Sequence, residues 1–376
     1  MRYPVAVRCS DTPGFGAEAV ARTDDGMARL LILLAVLALG GCSNLSYYVQ
    51  SVRGQLGLVG ASRPLEAVLA DTDTAESVRR HLQQLPALRQ FAFGELALPE
   101  TDSYSLYADV RREALVWNVV AAPVDSLRPR EWCYPVVGCA AYRGYFSRQD
   151  AVAYAAELTD GGWDSAVEPV PAYSTLGWFS DPLPSTVIEW PLTDIAGLLF
   201  HELAHEALYL PGDSSFNEAY ATVVEDEGIR RWLQRHGSDE ERRTHALGQQ
   251  RREAFLRLVG LIREQLAELY AADVEHDLLL ERKLAIFHEL RDGYALLKDS
   301  WGGYSGYDRW FARPLNNAHF ASINTYHALE PAFWGILLRA NGDMAAFHAR
   351  CREIAAMPTE GREAVLKELL DEAADG

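Results

Sequence analysis

The residues of this chain best suited to chemistry form one short run, His201-Glu202-Leu203-Ala204-His205. Side chains four apart share one face of an α-helix, so both imidazoles can enter the same cleft. Two neutral imidazoles at that separation suit a tetrahedral zinc ion. Glu202, one residue on, is near enough to take a proton from water polarised by the metal without being a ligand itself. The chain holds 10 histidines, and only this pair is spaced four apart. Such a run arises in roughly 2% of shuffled chains of this composition. Phe287-His288-Glu289-Leu290 begins in the same way, but Asp292 stands where a second histidine is needed.

A hydrolytic zinc site needs a third protein ligand and one open position. Glu218, in Asn217-Glu218-Ala219-Tyr220-Ala221-Thr222-Val223-Val224-Glu225, is the candidate. The intervening Leu210-Pro211-Gly212-Asp213 reads as a helix stop and a turn, which lets a second helix pack back on the first. Thr222 and Glu225, four and seven residues beyond Glu218, share its face and are candidates to fix an imidazole tautomer from behind the ligands. The alternative for Glu218 is a capping box with Ser215, since Ser-x-x-Glu is itself a helix-start pattern. Its position just after the paired histidines favours the ligand.

The elements that must position these groups are legible as periodicities. A helix over 194–210 follows Pro191 and Thr193, and a second over 215–236 stops at Gly237. Ser238 with Glu241 forms a capping-box pattern that opens a long helical stretch, and further helices are expected over 275–298, 317–350 and 358–374. Upstream, helical periodicity over 44–95 breaks near Pro64 and Pro86. Strand signals follow at 115–121 and in parts of 134–146 and 165–175, with a helix over 148–158 between them. The expected fold is α+β and mostly helical, strand-rich over 96–190 and helical over 191–376, around a two-helix zinc site. No repeat or long linker divides it, so residues 42–376 read as a single domain.

Composition is that of a globular chain with ample core. Of 376 residues, 49% are hydrophobic and 23% charged, which excludes a disordered, collagenous or coiled-coil chain. The 35 basic residues against 53 acidic ones leave a net charge of −18. Such a surface repels phosphate backbones and no basic run compensates, so nucleic acid is excluded as a partner. The oligomeric state is not legible.

The amino terminus bears on compartment. Residues 31–39 form an apolar core preceded by Arg29 and followed by Gly40-Gly41-Cys42. The core is too short to span a bilayer but suits a signal peptide over 27–41. Leu39-Gly40-Gly41-Cys42 resembles a bacterial lipobox, in which Cys42 takes the lipid. Residues 1–26 are polar and contain Asp24 and Asp25, so they read as a mis-assigned upstream extension, with Met27 the better start. Ser43 after the cysteine favours the outer over the inner membrane, with the domain facing the periplasm. In an oxidising compartment Cys133 and Cys139 could close a small loop across Pro135 and Gly138; two buried thiols are the other reading.

The paired histidines followed by Asn217 to Glu225 resemble the gluzincin metallopeptidases, in which two helices supply His, His and Glu to zinc. More closely, the chain resembles a bacterial family of predicted aminopeptidases, lipoprotein-like with a thermolysin-type zinc motif. That likeness runs through Tyr47-Tyr48-Val49-Gln50, Trp117-Asn118-Val119, Trp132-Cys133, Gly138-Cys139 and Tyr142-Arg143-Gly144-Tyr145-Phe146. It continues through Tyr173-Ser174-Thr175-Leu176-Gly177-Trp178-Phe179-Ser180-Asp181-Pro182 and Asn316-Asn317-Ala318. The resemblance implies one zinc ion, a peptide substrate and a lipid-tethered hydrolase. It also implies a downstream tyrosine or histidine that stabilises the oxyanion, for which Tyr326 comes first, with His327 and Tyr307 behind it. Tyr173, Gly177 and Asp181 are the substrate-binding candidates, on an expected edge strand and turn that would hold a peptide by its main chain.

Two departures shape the expected activity. Glu206 is charged where these motifs carry an uncharged residue, though on a helix it points about 100° away from His205. No Gly-x-Met-Glu-Asn motif, whose glutamate grips the free amine in gluzincin aminopeptidases, is present. Asp181 and Glu189 are candidates to replace it. The expectation is an aminopeptidase, with a zinc endopeptidase of envelope proteins and a non-catalytic binding lipoprotein as alternatives.

Overall fold

A computed structural model of the chain describes residues 46–134, 138–320 and 329–375. Residues 46–49, the described part of a unit ending at Val49, are helical. The unit Gln50–Gly376 carries the fold, which is α+β and mostly helical. It opens with α1 (50–61), β1 (Ser62–Pro64), α2 (Leu65–Ala70), α3 (Glu76–Leu82) and α4 (Leu85–Gly94). Pro64 stands just before α2 and Pro86 sits in the first turn of α4, where a missing N–H costs nothing.

The strands make small sheets. β3 (Val116–Pro123) is the centre of one, antiparallel to β6 (Arg143–Tyr145) and, from Val116↔Val170 to Pro123↔Trp163, to β7 (Trp163–Val170). α5 (Arg148–Asp160) lays Ala151, Ala155 and Leu158 on this sheet, the spacing of one helical face. β2 (Leu106–Ala108) joins β1 antiparallel and β8 (Leu183–Pro184) parallel. β4 (Trp132–Tyr134) and β5 (Gly138–Ala140) form a hairpin closed by a Cys133–Cys139 disulfide. The segment from Tyr173 to Asp181, expected as an edge strand and turn, is instead an irregular loop. Leu176 and Gly177 take left-handed φ values of 57° and 76°, which no strand accommodates.

The C-terminal half is helical: α6 (Leu192–Ala207), α7 (Ser214–His236), α8 (Asp239–Ala271), α9 (His276–Ser300) and α10 (Asp308–Phe311) lead to α11 (Glu330–Arg339), α12 (Met344–Ala355) and α13 (Thr359–Asp375). Ser238 and Glu241 make both halves of the capping box at α8. The helix expected over 317–350 does not continue through its second half. α11 ends in a turn at Asn341 and Gly342, with φ of 51° and 75°, before Asp343 caps α12. Among the described residues no helix is long and apolar enough to cross a membrane.

The main core gathers α4, α6, α7, α11 and α12 around Phe200, Phe216, Tyr220, Phe333 and Phe347, all fully buried. Within it α6 and α7 lie unusually close. A Cβ added at Gly228 of α7 would come 2.5 Å from the Phe200 ring, and one at Gly197 of α6 would come 2.7 Å from Ile229 and 3.1 Å from Glu225. A second core, with Phe255, Phe287, Leu290 and Tyr294, lies between α8 and α9.

Candidate active site

α6 carries His201, Glu202, His205 and Glu206 in its last two turns and ends where Leu208 turns extended. The chain reverses over the six residues from Leu208 to Asp213. Gly212 takes a φ of 83°, and the buried Asn217 side chain clamps the turn: its Oδ1 accepts the Leu210 N–H at 2.7 Å and its Nδ2 donates to the Leu210 carbonyl at 2.8 Å. Asp213 caps α7 by accepting the Phe216 N–H, and its other oxygen accepts Arg362 Nε–H. Asp213 rather than Ser215 therefore starts the helix, which leaves Glu218 free to turn towards α6.

It does so. Glu218 Oε2 lies 3.2 Å from His201 Nε2 and 3.7 Å from His205 Nε2, and the two Nε2 atoms are 3.2 Å apart. These three side chains are a group of metal-ligating type. Their spacing is close to the ~3.3 Å edge of a tetrahedron with bonds of about 2.0 Å, so the donor set fits zinc. Behind His201, Nδ1–H donates to Glu225 Oε2 at 3.0 Å, an arrangement that would leave Nε2 as the nitrogen to face a metal held by the other two donors. Thr222, the other candidate on that face, is buried and makes no described hydrogen bond to either imidazole.

Burial and charge oppose one another throughout this cluster. Burial opposes charge on His201, yet the Glu218 and Glu225 carboxylates overcome it and hold the imidazole well above its ordinary pKa. Burial also penalises the Glu218 carboxylate, but the His201 and His205 rings outweigh it and bring its pKa to about 2. Glu202 is 8% exposed, and burial raises its carboxyl above the ordinary range against the pull of both imidazoles.

The remaining candidates are scattered. Tyr326, His327 and Cys42 lie outside the described residues. Tyr307 is stacked on Phe255 in the second core. Tyr173 donates its hydroxyl to Gln55 and packs on Phe146. Asp181 is 3% exposed and builds its own loop, its carboxylate accepting Thr175 N–H at 2.6 Å and Thr175 Oγ1–H at 2.8 Å. Glu189 is on the surface, where Ser77 Oγ–H donates to it. Gly177 lies over the end of α6, where a Cβ added to it would come 3.9 Å from Glu206 Oε2.

Sequence reasoning overlooked the Asn217 clamp and the close approach of α6 and α7 at Gly197 and Gly228. Glycines inside strong helical patterns were the available signal, since they weaken a helix unless a neighbour needs the space.

A family model described as putative aminopeptidase matches residues 46–366. No curated protein and no solved structure matches the chain.

Proposed function

Since the chain belongs to the putative aminopeptidase family, we propose that it is a zinc peptidase centred on His201, His205 and Glu218, with Glu202 as general base. The observation that carries this reading is the triangle of Nε2, Nε2 and Oε2 atoms, with Glu202 buried beside it. Zinc held there supplies Lewis-acid activation of water and of the scissile carbonyl.

The chain's own groups do the rest. Glu218 brings the negative charge, and Glu225 holds the His201 ring in one tautomer. Glu202, its basicity raised by burial, takes the proton of the attacking water and passes it to the leaving amine. The apolar run over 31–39 and the Leu39-Gly40-Gly41-Cys42 sequence support a lipid tether at Cys42, with the enzyme facing the periplasm.

The test is metal content and peptidase activity of the purified chain beside Glu202→Gln and His205→Ala. One zinc per chain is expected, with activity lost but zinc kept in Glu202→Gln, and zinc lost in His205→Ala. A folded protein that takes up no zinc would sink the reading and leave a binding lipoprotein.

A further inference from the structure

Glu206 is the one charged group at the end of α6 that the proposed chemistry does not use. Both of its carboxylate oxygens are closed off from solvent, and neither has a hydrogen-bond partner among the described residues. An ionised carboxylate without a donor is costly to bury, so such a group marks a place where a cationic partner belongs.

Three further observations define that place. Glu206 follows Glu202 by four residues on α6, so the two carboxylates stand one above the other, their Cβ atoms about 5–6 Å apart. The hydroxyl of Tyr104, a residue 1% exposed, is also buried without a partner. It lies within electrostatic reach of Glu202, Asp181 and Glu206. The loop backbone at Gly177 approaches Glu206, near enough that a Cβ there would meet Oε2 at 3.9 Å. The result is a buried acidic cluster on α6 beside the histidine pair.

The donor and acceptor groups present select the occupant. A calcium or magnesium ion needs six or more oxygens in a shell, and Asp181 is already committed to Thr175. An ammonium group offers three donors, enough for both Glu206 oxygens and one neighbouring hydroxyl, for which Tyr104 is the candidate. In a peptide the α-amine is two bonds from the first carbonyl carbon. Were that carbonyl held beside His201, His205 and Glu218, the amine would lie next to the α6 face that carries Glu202 and Glu206.

Resting on the peptidase reading above, we infer that Glu206, with Tyr104 beside it, holds the α-ammonium group of the substrate and so confines cleavage to N-terminal residues. It takes over the task of the Gly-x-Met-Glu-Asn glutamate that the chain lacks. Asp181 contributes charge and holds the loop in place.

The experiment is calorimetric binding of alanyl-phenylalanine amide and of its N-acetylated form to the zinc-loaded Glu202→Gln chain, with and without Glu206→Gln. Glutamine is isosteric, and unchanged zinc stoichiometry reports an intact fold. The free-amine ligand is expected to bind at least roughly 30-fold more tightly than the acetylated one, the effect of one partner in a buried charged pair. Glu206→Gln should bring the two to parity, and Tyr104→Phe should narrow the gap several-fold. Equal binding of the two ligands before substitution, or a preference that survives Glu206→Gln, overturns the assignment. Turnover of both peptides by the unsubstituted chain is read separately: cleavage of neither would remove the hydrolase reading while the binding comparison still decides the role of Glu206.

Discussion

His201 is held from behind by Glu225, whose Oε2 accepts the ring's Nδ1–H at 3.0 Å, while seven residues earlier on the same helix Glu218 meets Nε2 at 3.2 Å. One face of α7 thus addresses both nitrogens of one imidazole. Glu225→Ala should lower zinc affinity by roughly 10–100-fold, because the ring loses its tautomer and its orientation. Competition with a chromogenic chelator measures it. An affinity equal to that of the unsubstituted chain would mean that the contact is incidental.

The glycines between the two helices set how near those carboxylates come. A Cβ at Gly228 would meet the Phe200 ring at 2.5 Å and Leu96 at 2.8 Å. Gly228→Ala should therefore cost about 1–3 kcal/mol of stability by overpacking. It should also weaken zinc binding by moving α7 off α6. Urea denaturation and the same chelator competition read the two effects, and full stability in the variant would contradict the close packing.

Acid titration should expose Asp181. Burial raises its carboxyl to about 6, with the Thr175 hydrogen bonds opposing and the Glu206 and Glu202 charges adding to the shift. The folded chain therefore holds this proton where the unfolded chain, near the ordinary value of 3.8, has released it. The resulting stability is complete below the unfolded value and is lost as pH rises through about 6, amounting to about 3 kcal/mol across the window. Asp181→Asn keeps an acceptor for Thr175 and should remove this component. Denaturation midpoints from about pH 3.5 to 7 for both proteins give the comparison; parallel curves would refute it.

The Cys133–Cys139 bridge closes the β4–β5 hairpin, and a Cβ at the neighbouring Gly138 would come 3.0 Å from the Gly212 N in the turn between α6 and α7. Closing so short a loop is worth about 2 kcal/mol in the chain-entropy account. Paired Cys133→Ser and Cys139→Ser substitution should lower stability by that amount, and adding a reductant to the unsubstituted chain should reproduce it in thermal melts.

What the sequence determined by itself was local. The four-residue spacing of His201 and His205, the Ser238–Glu241 cap and the pattern over 115–121 are each written in a few consecutive residues, and backbone geometry turns such patterns into one face of one element. The same spacing put Glu218, Thr222 and Glu225 on a common face. It could not say that Glu225 rather than Thr222 meets the imidazole, because that depends on how α7 is rotated and how near it lies to α6. The Asn217 clamp, Gly197 and Gly228 settle both, and they act between residues distant along the chain.

Tertiary structure also decided the loop from Tyr173 to Asp181. Its aromatic composition suits a strand, but the carboxylate of Asp181 folds the segment back on Thr175 and no neighbouring strand among the described residues pairs with it. Glu206 carries the same lesson. Its position one residue past His205 suggested a charge pointing away from the site, and only the packed structure shows both of its oxygens closed off from solvent, with the Gly177 backbone nearby. A periodicity states which side chains share a face; what lies opposite that face is decided when distant segments pack together.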